Sequence, residues 1–579
     1  MKSEHELKMS NLAEKLSEYI DKWDIVSLNS EIKKPEHEEW IKNNAWDLIP
    51  ILVFPASDDN LLNCPQVVHS CSQILADYVA KLGNPKEILI SLLEQCEHSG
   101  SSVTLRHCLP AIEIALLKLN LRVATLTWDW ALRTIVEHLT NLKIPDIAEL
   151  EGNERLVFEH DQECCDRLAS CQEVASVLKS LSVRLDDFED SLHKSKLKGY
   201  IVWSCIHLLG HPLSYFNVCK TEKGNSTTAK VISDQLTTLV NQICSDQVKL
   251  IDLPEFCDFY GTPKLMESDP EIWLFGVGNI FHCQFSNGDP NIPLCYSPVY
   301  LYFKLLKTMI QMILFIPGEN SPYFRQEKSL SLCTSLLTRI PKSQVPEDSL
   351  ELEDQLLFIS KLYEVIIYHG LESVRKMGFN VYNRIFDLFG NSSKGLSMMV
   401  KHALEKANHS GLIGHTIGKL KNGVLSNMKY PSEDLSGIAL QSLVRKFCCL
   451  KNGAETDLLE ISDEIMASLN FLICLLLRDK TNILQLWDII PELSEHFLKP
   501  LSTGLSMSRA HYKLKLDEPA NSNNGAVTMM VGGQTLPDMS SEQMKEVILS
   551  ALNTFDMIEC VLCQLNDTIY AKKNNVQSE

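Results

Sequence analysis

The chain is a succession of amphipathic segments, each about 15 to 20 residues long and closed by Gly, Asn or Pro, with almost no alternating runs between them. "CSQILADYVAKLG" (Cys71–Gly83) sets Ile74, Leu75, Tyr78, Val79 and Leu82 on one stripe and stops at a glycine. "NPKEILISLLEQCE" follows at once, with Pro85 at a first-turn position where its missing N–H costs nothing. The two segments read as an αα-hairpin. The same arrangement recurs in "LEDQLLFISKLYEVIIYHG" (Leu352–Gly370), "LESVRKMGFNVYNRIFDLFG" (Leu371–Gly390) and "SSKGLSMMVKHALEKANHSG". A helix with a single apolar stripe must bury it on a neighbour, so helices in series predict stacked pairs. No fixed period is kept, which excludes a regular tetratricopeptide or ankyrin array. The expected fold is all-α, an irregular HEAT/armadillo-like helical-repeat solenoid.

One stretch departs from this pattern. "NSNNGAVTMMVGGQTLPDMSSEQMKEV" offers an apolar run, Val527 to Val531, that ends in Gly532-Gly533. It predicts a small hairpin or flap near residues 525–536. Ser540, three residues before Gln543, reads as a capping box opening a last helix. In that helix Val547, Ile548, Ala551, Leu552, Phe555, Ile558, Leu562, Leu565 and Ile569 form the docking stripe. The irregular "FSNGDPNIPLCYSP" (Phe285–Pro298) suggests a division into an N-terminal helical-repeat region, residues 1–290, and a C-terminal HEAT-like region, 291–579.

Charge narrows the partners. The formal net charge is −20, and such a field disfavours phosphate backbones and anionic membrane surfaces, so neither nucleic acid nor membrane is expected. Residues 401–515 differ from the rest, with 14 Lys/Arg against 12 Asp/Glu, leaving 40 against 62 elsewhere. That local balance suits a docking surface. The most apolar stretch, Tyr300 to Gly318, carries Lys304, Lys307 and Gln311 and reads as a core helix, not a span. Nineteen cysteines in no regular framework, and a charged opening "MKSEHELKMSNLAEKL", fit reduced thiols in a cytoplasmic setting.

Candidate chemistry is sparse. "GVGNIF" (Gly276–Phe281) lacks the third glycine of a dinucleotide fingerprint, and "GHTIGKL" has Leu420 where a phosphate loop needs Ser or Thr. Cys164, Cys165, Cys171, Cys560 and Cys563 do not make the two close pairs of a structural zinc site, so no metal or cofactor is expected. The segment "FLKPLSTGLSMSRAHYKLKL" (Phe497–Leu516) gathers Ser, Arg, His, Tyr and Lys. Leu498, Leu501, Leu505 and Tyr512 keep core spacing, while His511 has no adjacent carboxylate to orient it. An interaction face is the better reading, and no catalytic residue is assigned.

Three segments carry a resemblance: "NGAETDLLEISDEIMASLNFL" (Asn452–Leu472), "FLKPLSTGLSMSRAHY" (Phe497–Tyr512) and "SALNTFDMIECVL" (Ser550–Leu562). With the shorter "KLGNPKEILISLLE", "LLGHPL", "SPVYL" and "ANHSG", they resemble the glomulin family of HEAT-like proteins. The resemblance implies a non-enzymatic inhibitor of cullin-RING ubiquitin ligases. In that family the C-terminal region grips the RING-box subunit and covers the docking surface of the ubiquitin-conjugating enzyme. It also implies an association with a small FK506-binding immunophilin and with vascular smooth-muscle development. Partner-binding candidates are Lys421, Arg445, Arg509, His511 and Tyr512, on C-terminal segments and, for Arg and Tyr, of types enriched at interface hot spots. The alternatives are a generic HEAT-type scaffold for another helical partner, or an enzyme using His511 with a distant carboxylate.

Overall fold

The structure is a computed structural model, describing all residues except 1–3, 142–160, 218–225, 289–291, 315–322, 342–344, 518–529, 532–533, 536–540 and 579. Helices succeed one another through the described residues. The only strands among those residues are Met530–Val531 and Gln534–Thr535, paired antiparallel with Met530 opposite Thr535. They fall inside the expected flap. Residues 525–529, Gly532-Gly533 and the Ser540 cap lie outside the described residues. The fold is all-α.

The chain forms two compact units. One holds Met1–Arg339 with His369–Met377, and the other Ile340–Tyr368 with Gly378–Glu579. The boundary expected at 290/291 therefore falls inside the first unit. Lys328 shows why: its ammonium is buried and donates to the carbonyls of Leu213 and Ser214, each at 3.0 Å. The Tyr323–Arg339 helix also packs on the Pro270–Ser286 helix. An irregular loop is a weak boundary signal when the next helices return to the same core.

In the first unit, contacts run mainly between helices that are near in sequence, the pattern of stacked repeats. Its centre is the pair Ser191–Gly210 and Pro270–Ser286, which over Gly199–Gly210 and Trp273–Phe285 are buried nearly all round. They cross so closely that a Cβ at Gly276 would lie 1.9 Å from the Ile206 carbonyl oxygen, and one at Gly210 2.0 Å from that of Ile272. The "GVGNIF" glycines thus sit mid-helix, Gly276 at this crossing and Gly278 against Met312, not in a phosphate-binding turn. Trp273 and Trp203 are held there by indole bonds to the Leu250 carbonyl (3.0 Å) and the Ser268 hydroxyl (2.9 Å). The expected helix, break and helix are present as Pro65–Ile74, continued by a π turn over Leu75–Ala80, and Pro85–Ser99 with Asn84 as its cap, but the second helix packs on Ser102–Leu117 and Pro35–Val53 and not back along the first as a hairpin. The stretch from Tyr300 is two short helices, Pro298–Lys304 and Leu306–Ile313, broken at Leu305. Among the described residues no helix is long and apolar enough to cross a membrane.

In the second unit the three predicted segments are the helices Glu353–Tyr368, Glu372–Phe389 (shared with the first unit) and Ser393–Lys406. Ser410–Ser426 packs on Ser462–Arg478, which packs on the last helix, Ser541–Ser578. Ile548, Ala551, Phe555, Ile558, Leu562, Leu565 and Ile569 of the last helix are buried, as the spacing predicts, while Val547 and Leu552 are half-exposed at the stripe's edge.

Candidate interaction face

The Lys499–Asp517 helix organises the C-terminal face. Leu498, Leu501 and Leu505 are buried, and one turn further Arg509 and Tyr512 continue their side. These last two meet the Ser541–Ser578 helix. A single Arg509 Nη2 lies 2.7 Å from Asp556 and 2.7 Å from Glu559. The Tyr512 ring stands edge-on to Phe555 at 5.5 Å. The two carboxylates, Glu559 foremost, raise the Arg509 pKa, and burial raises that of Tyr512. Arg509 is thus engaged within the chain as a clamp between two helices. Its charge was legible in the sequence, but its partners, nearly fifty positions away, were not.

His511 points to solvent and touches the Tyr512 ring edge-on at 5.7 Å. Among the described residues it has no hydrogen bond or ion pair, so nothing there orients it as a base. Arg445 is also engaged, forking onto Glu492 through Nε (3.0 and 3.1 Å) and Nη2 (2.9 Å). That carboxylate, first through its hydrogen bonds, raises the Arg445 pKa. Lys421, half-exposed on the Ser410–Ser426 helix, makes no ion pair among the described residues. The structure therefore joins Arg509 and Tyr512 in one packed contact, ties Arg445 into another, and leaves Lys421 and His511 available.

The helix also has an outer side. Met507 and Leu514 are 51% and 67% exposed. Seven residues apart, they lie on one side of the helix, opposite Leu501 and Leu505. The signal was there: two large apolar residues out of phase with the core stripe.

Cys164 and Cys171 are buried, and Cys560 and Cys563 are exposed on the last helix. Among the described residues no group of three or more His, Cys, Asp or Glu is placed to hold a metal ion. The arrangement offers contact area and charge, and it brings no nucleophile and base together at the predicted residues.

Two glomulins, from Homo sapiens and Mus musculus, are each 27% identical to the chain, over 572 and 574 residues, covering 95% of this chain and 91% of the relative. A solved circular tandem repeat protein with novel repeat topology and enhanced subunit contact surfaces covers 98% of both chains at 11% identity. Its TM-score of 0.22 is too low to bear on fold or function. Residues 15–146 and 305–547 match the uncharacterised protein family described as YAP/Alf4/glomulin. The chain belongs to the YAP/Alf4/glomulin family.

Proposed function

We propose that the chain is a non-enzymatic, cytoplasmic inhibitor of cullin-RING E3 ubiquitin ligases. On this reading its C-terminal region binds the RING-box subunit and masks the surface where the ubiquitin-conjugating enzyme docks. The observation that carries the reading is the correspondence with the glomulins over 95% of this chain and 91% of theirs. Inhibition by occlusion asks only for a rigid surface larger than the small one it covers, and stacked helices supply such surfaces. The local charge balance of residues 401–515 supports docking there, as does the availability of Lys421. A small FK506-binding immunophilin is a further proposed partner, on the family resemblance alone.

The test is a reconstituted cullin-RING reaction read out as substrate ubiquitination. Saturating full-length protein is expected to suppress the rate, and Lys421→Glu to raise the concentration needed by about tenfold or more if Lys421 is a hot spot. An unaltered rate at saturation refutes the inhibitor reading. Inhibition that Lys421→Glu leaves unchanged keeps the function and removes this residue from the interface.

A further inference from the structure

Six arginines among the described residues bury a guanidinium nitrogen that has no hydrogen-bond partner. In four of them, Arg106, Arg133, Arg184 and Arg509, a carboxylate oxygen lies at 3.2 Å or less from the guanidinium and supplies the counter-charge. Arg167 and Arg325 are the exceptions. Arg167 is 6% exposed, and its one ion pair among the described residues is with Glu163 at 3.8 Å, beyond hydrogen-bond reach, on a side chain that is 72% exposed. Arg325 makes no ion pair among the described residues, and its guanidinium lies over the rings of Phe275 (4.3 Å) and Tyr215 (5.1 Å). A buried cation is costly unless it is paired. Water satisfies its N–H groups but does not neutralise its charge.

Both cations stand near one imidazole. His211, directly after the Ser191–Gly210 helix, sets its ring edge-on to Tyr215 at 4.9 Å, so it shares that ring with Arg325. Its Nδ1 is buried and has no hydrogen-bond partner. Burial, and then the charges of Arg325 and Arg167, hold its pKa at about 4, so both guanidiniums lie within electrostatic reach of a neutral ring. Three helices, Gln162–Arg184, Ser191–Gly210 and Tyr323–Arg339, thus bring three unpartnered nitrogens together. The nearby acids do not meet the need. Asp269 acts on His211 and Glu271 on Arg325, but both are exposed, and Asp269 already caps the Pro270–Ser286 helix by accepting from the Glu271 N–H at 2.8 Å. Two fixed positive charges beside a neutral imidazole suit a dianionic tetrahedral oxyanion, because guanidiniums fork onto its oxygens and the imidazole donates or accepts as required. A carboxylate would leave one charge over. We propose that Arg167, His211 and Arg325 bind a phosphate group, free or carried as a monoester, within the first unit. The net charge of −20 acts against long phosphate backbones at the surface and is screened for one group seated beside two buried cations. This goes beyond the cullin-RING reading and does not depend on it.

The test uses the full chain at about pH 7.5, where phosphate monoesters are mostly dianionic. Inorganic phosphate and phosphoserine are separate probes, and sodium chloride at matched ionic strength is the reference. Tryptophan-fluorescence melts, which follow the first unit, should rise by about 2 °C or more in about 10 mM phosphate, the gain expected for a dissociation constant of about 1 mM. Arg167→Gln and Arg325→Gln should each remove most of that difference, whatever they do to melting in chloride. The general salting effect of phosphate is shared by all three proteins and cancels in the comparison. Where a variant does not fold, phosphorus NMR line broadening of inorganic phosphate by the folded parent replaces the melts. His211→Glu, at a half-buried position, should abolish that broadening by giving the arginines a carboxylate of their own. A response to phosphoserine as well shows that the group is taken as an ester, and a response to phosphate alone that the free ion is taken; either supports the site. No phosphate effect relative to chloride, a melting shift that survives both arginine variants, or broadening that survives His211→Glu would each overturn the proposal. The cullin-RING assay reads ubiquitination and none of these signals, so the two readings fail separately.

Discussion

Reversing the charge of Arg509 should loosen the last two helices without unfolding the rest. Its side chain is 20% exposed, while those of Asp556 and Glu559 are 66% and 47% exposed, so each pair is wet on one side. A pair of this kind contributes about 0.5 kcal/mol, and two sharing one cation about 1 kcal/mol. Arg509→Ala should cost that much. Arg509→Glu adds repulsion from two carboxylates at close range, which solvent reduces to about 1 kcal/mol more, for about 2 kcal/mol in all. A chain of two compact units will not unfold in one step, so a global midpoint is the wrong measurement. Hydrogen exchange resolved by segment is the right one. Amides of Lys499–Asp517 and of the facing stretch of Ser541–Ser578 should exchange about thirtyfold faster in Arg509→Glu, and about fivefold faster in Arg509→Ala. Adding Glu559→Arg to Arg509→Glu should recover part of the loss, as a coupled pair requires. Arg445→Glu, which breaks a more exposed fork onto Glu492, should do less. If Arg509→Glu and Arg509→Ala exchange alike, the electrostatic reasoning is wrong; if neither differs from the parent, the clamp is idle. Binding losses measured with Arg509 variants alone would therefore mix interface effects with loosened packing.

Two further outcomes are expected of the first unit and its neighbour. Burial holds His107, His207 and His211 at a pKa of about 4 and His282 at about 3, so all four are neutral when folded and take up protons on unfolding below pH 6.5. Stability is therefore full above that pH and falls by up to about 1.4 kcal/mol per pH unit per histidine as pH drops toward the folded values. Seven of the eight tryptophans (all but Trp487) belong to the first unit, so thermal melts followed by their fluorescence at pH 7.5 and 5 report this loss, and identical melts would refute it. Gly276→Ala should cost about 3 kcal/mol or more, because its new methyl meets the Ile206 carbonyl at 1.9 Å, where only backbone movement can relieve it. Gly418→Ala, mid-helix with nothing within 4 Å, should instead gain roughly 0.5 to 1 kcal/mol; equal melting shifts for both would show that the crossing is not tight.

The helices were legible because their cause is local. A stripe such as Ile548 to Ile569 is written in the order of the residues, and burial followed it. The unit boundary was not, because it depends on where Tyr323–Arg339 finds its core, and the Lys328 contacts that reveal this span more than a hundred positions. A lysine within a helix reads as a solvated charge until the fold aims it at two carbonyls. The same limit applies to "GVGNIF": the missing third glycine argues against a dinucleotide-binding turn, yet only the packing explains why two glycines stand in a helix interior that would otherwise avoid them, Gly276 against the Ile206 carbonyl and Gly278 against Met312.

Surface residues are the harder case, and the five candidates show why. For Arg445, Arg509, His511 and Tyr512 the sequence offers side-chain type and a place on C-terminal segments, and type does not distinguish a group offered to a partner from one already used at home. Arg509 has both the chemistry of a hot spot and two intramolecular carboxylates; Lys421 has the same sign of charge and no such ties among the described residues. What separates them is the pairing of helices far apart in sequence. A solvent-facing Leu514 does not decide the matter either, because single exposed apolar residues are ordinary on a folded surface. Laying Lys499–Asp517 beside Ser541–Ser578 therefore tells which residues are already spent, Arg509 and Tyr512, and it is this pairing, far apart in sequence, that side-chain type alone does not carry.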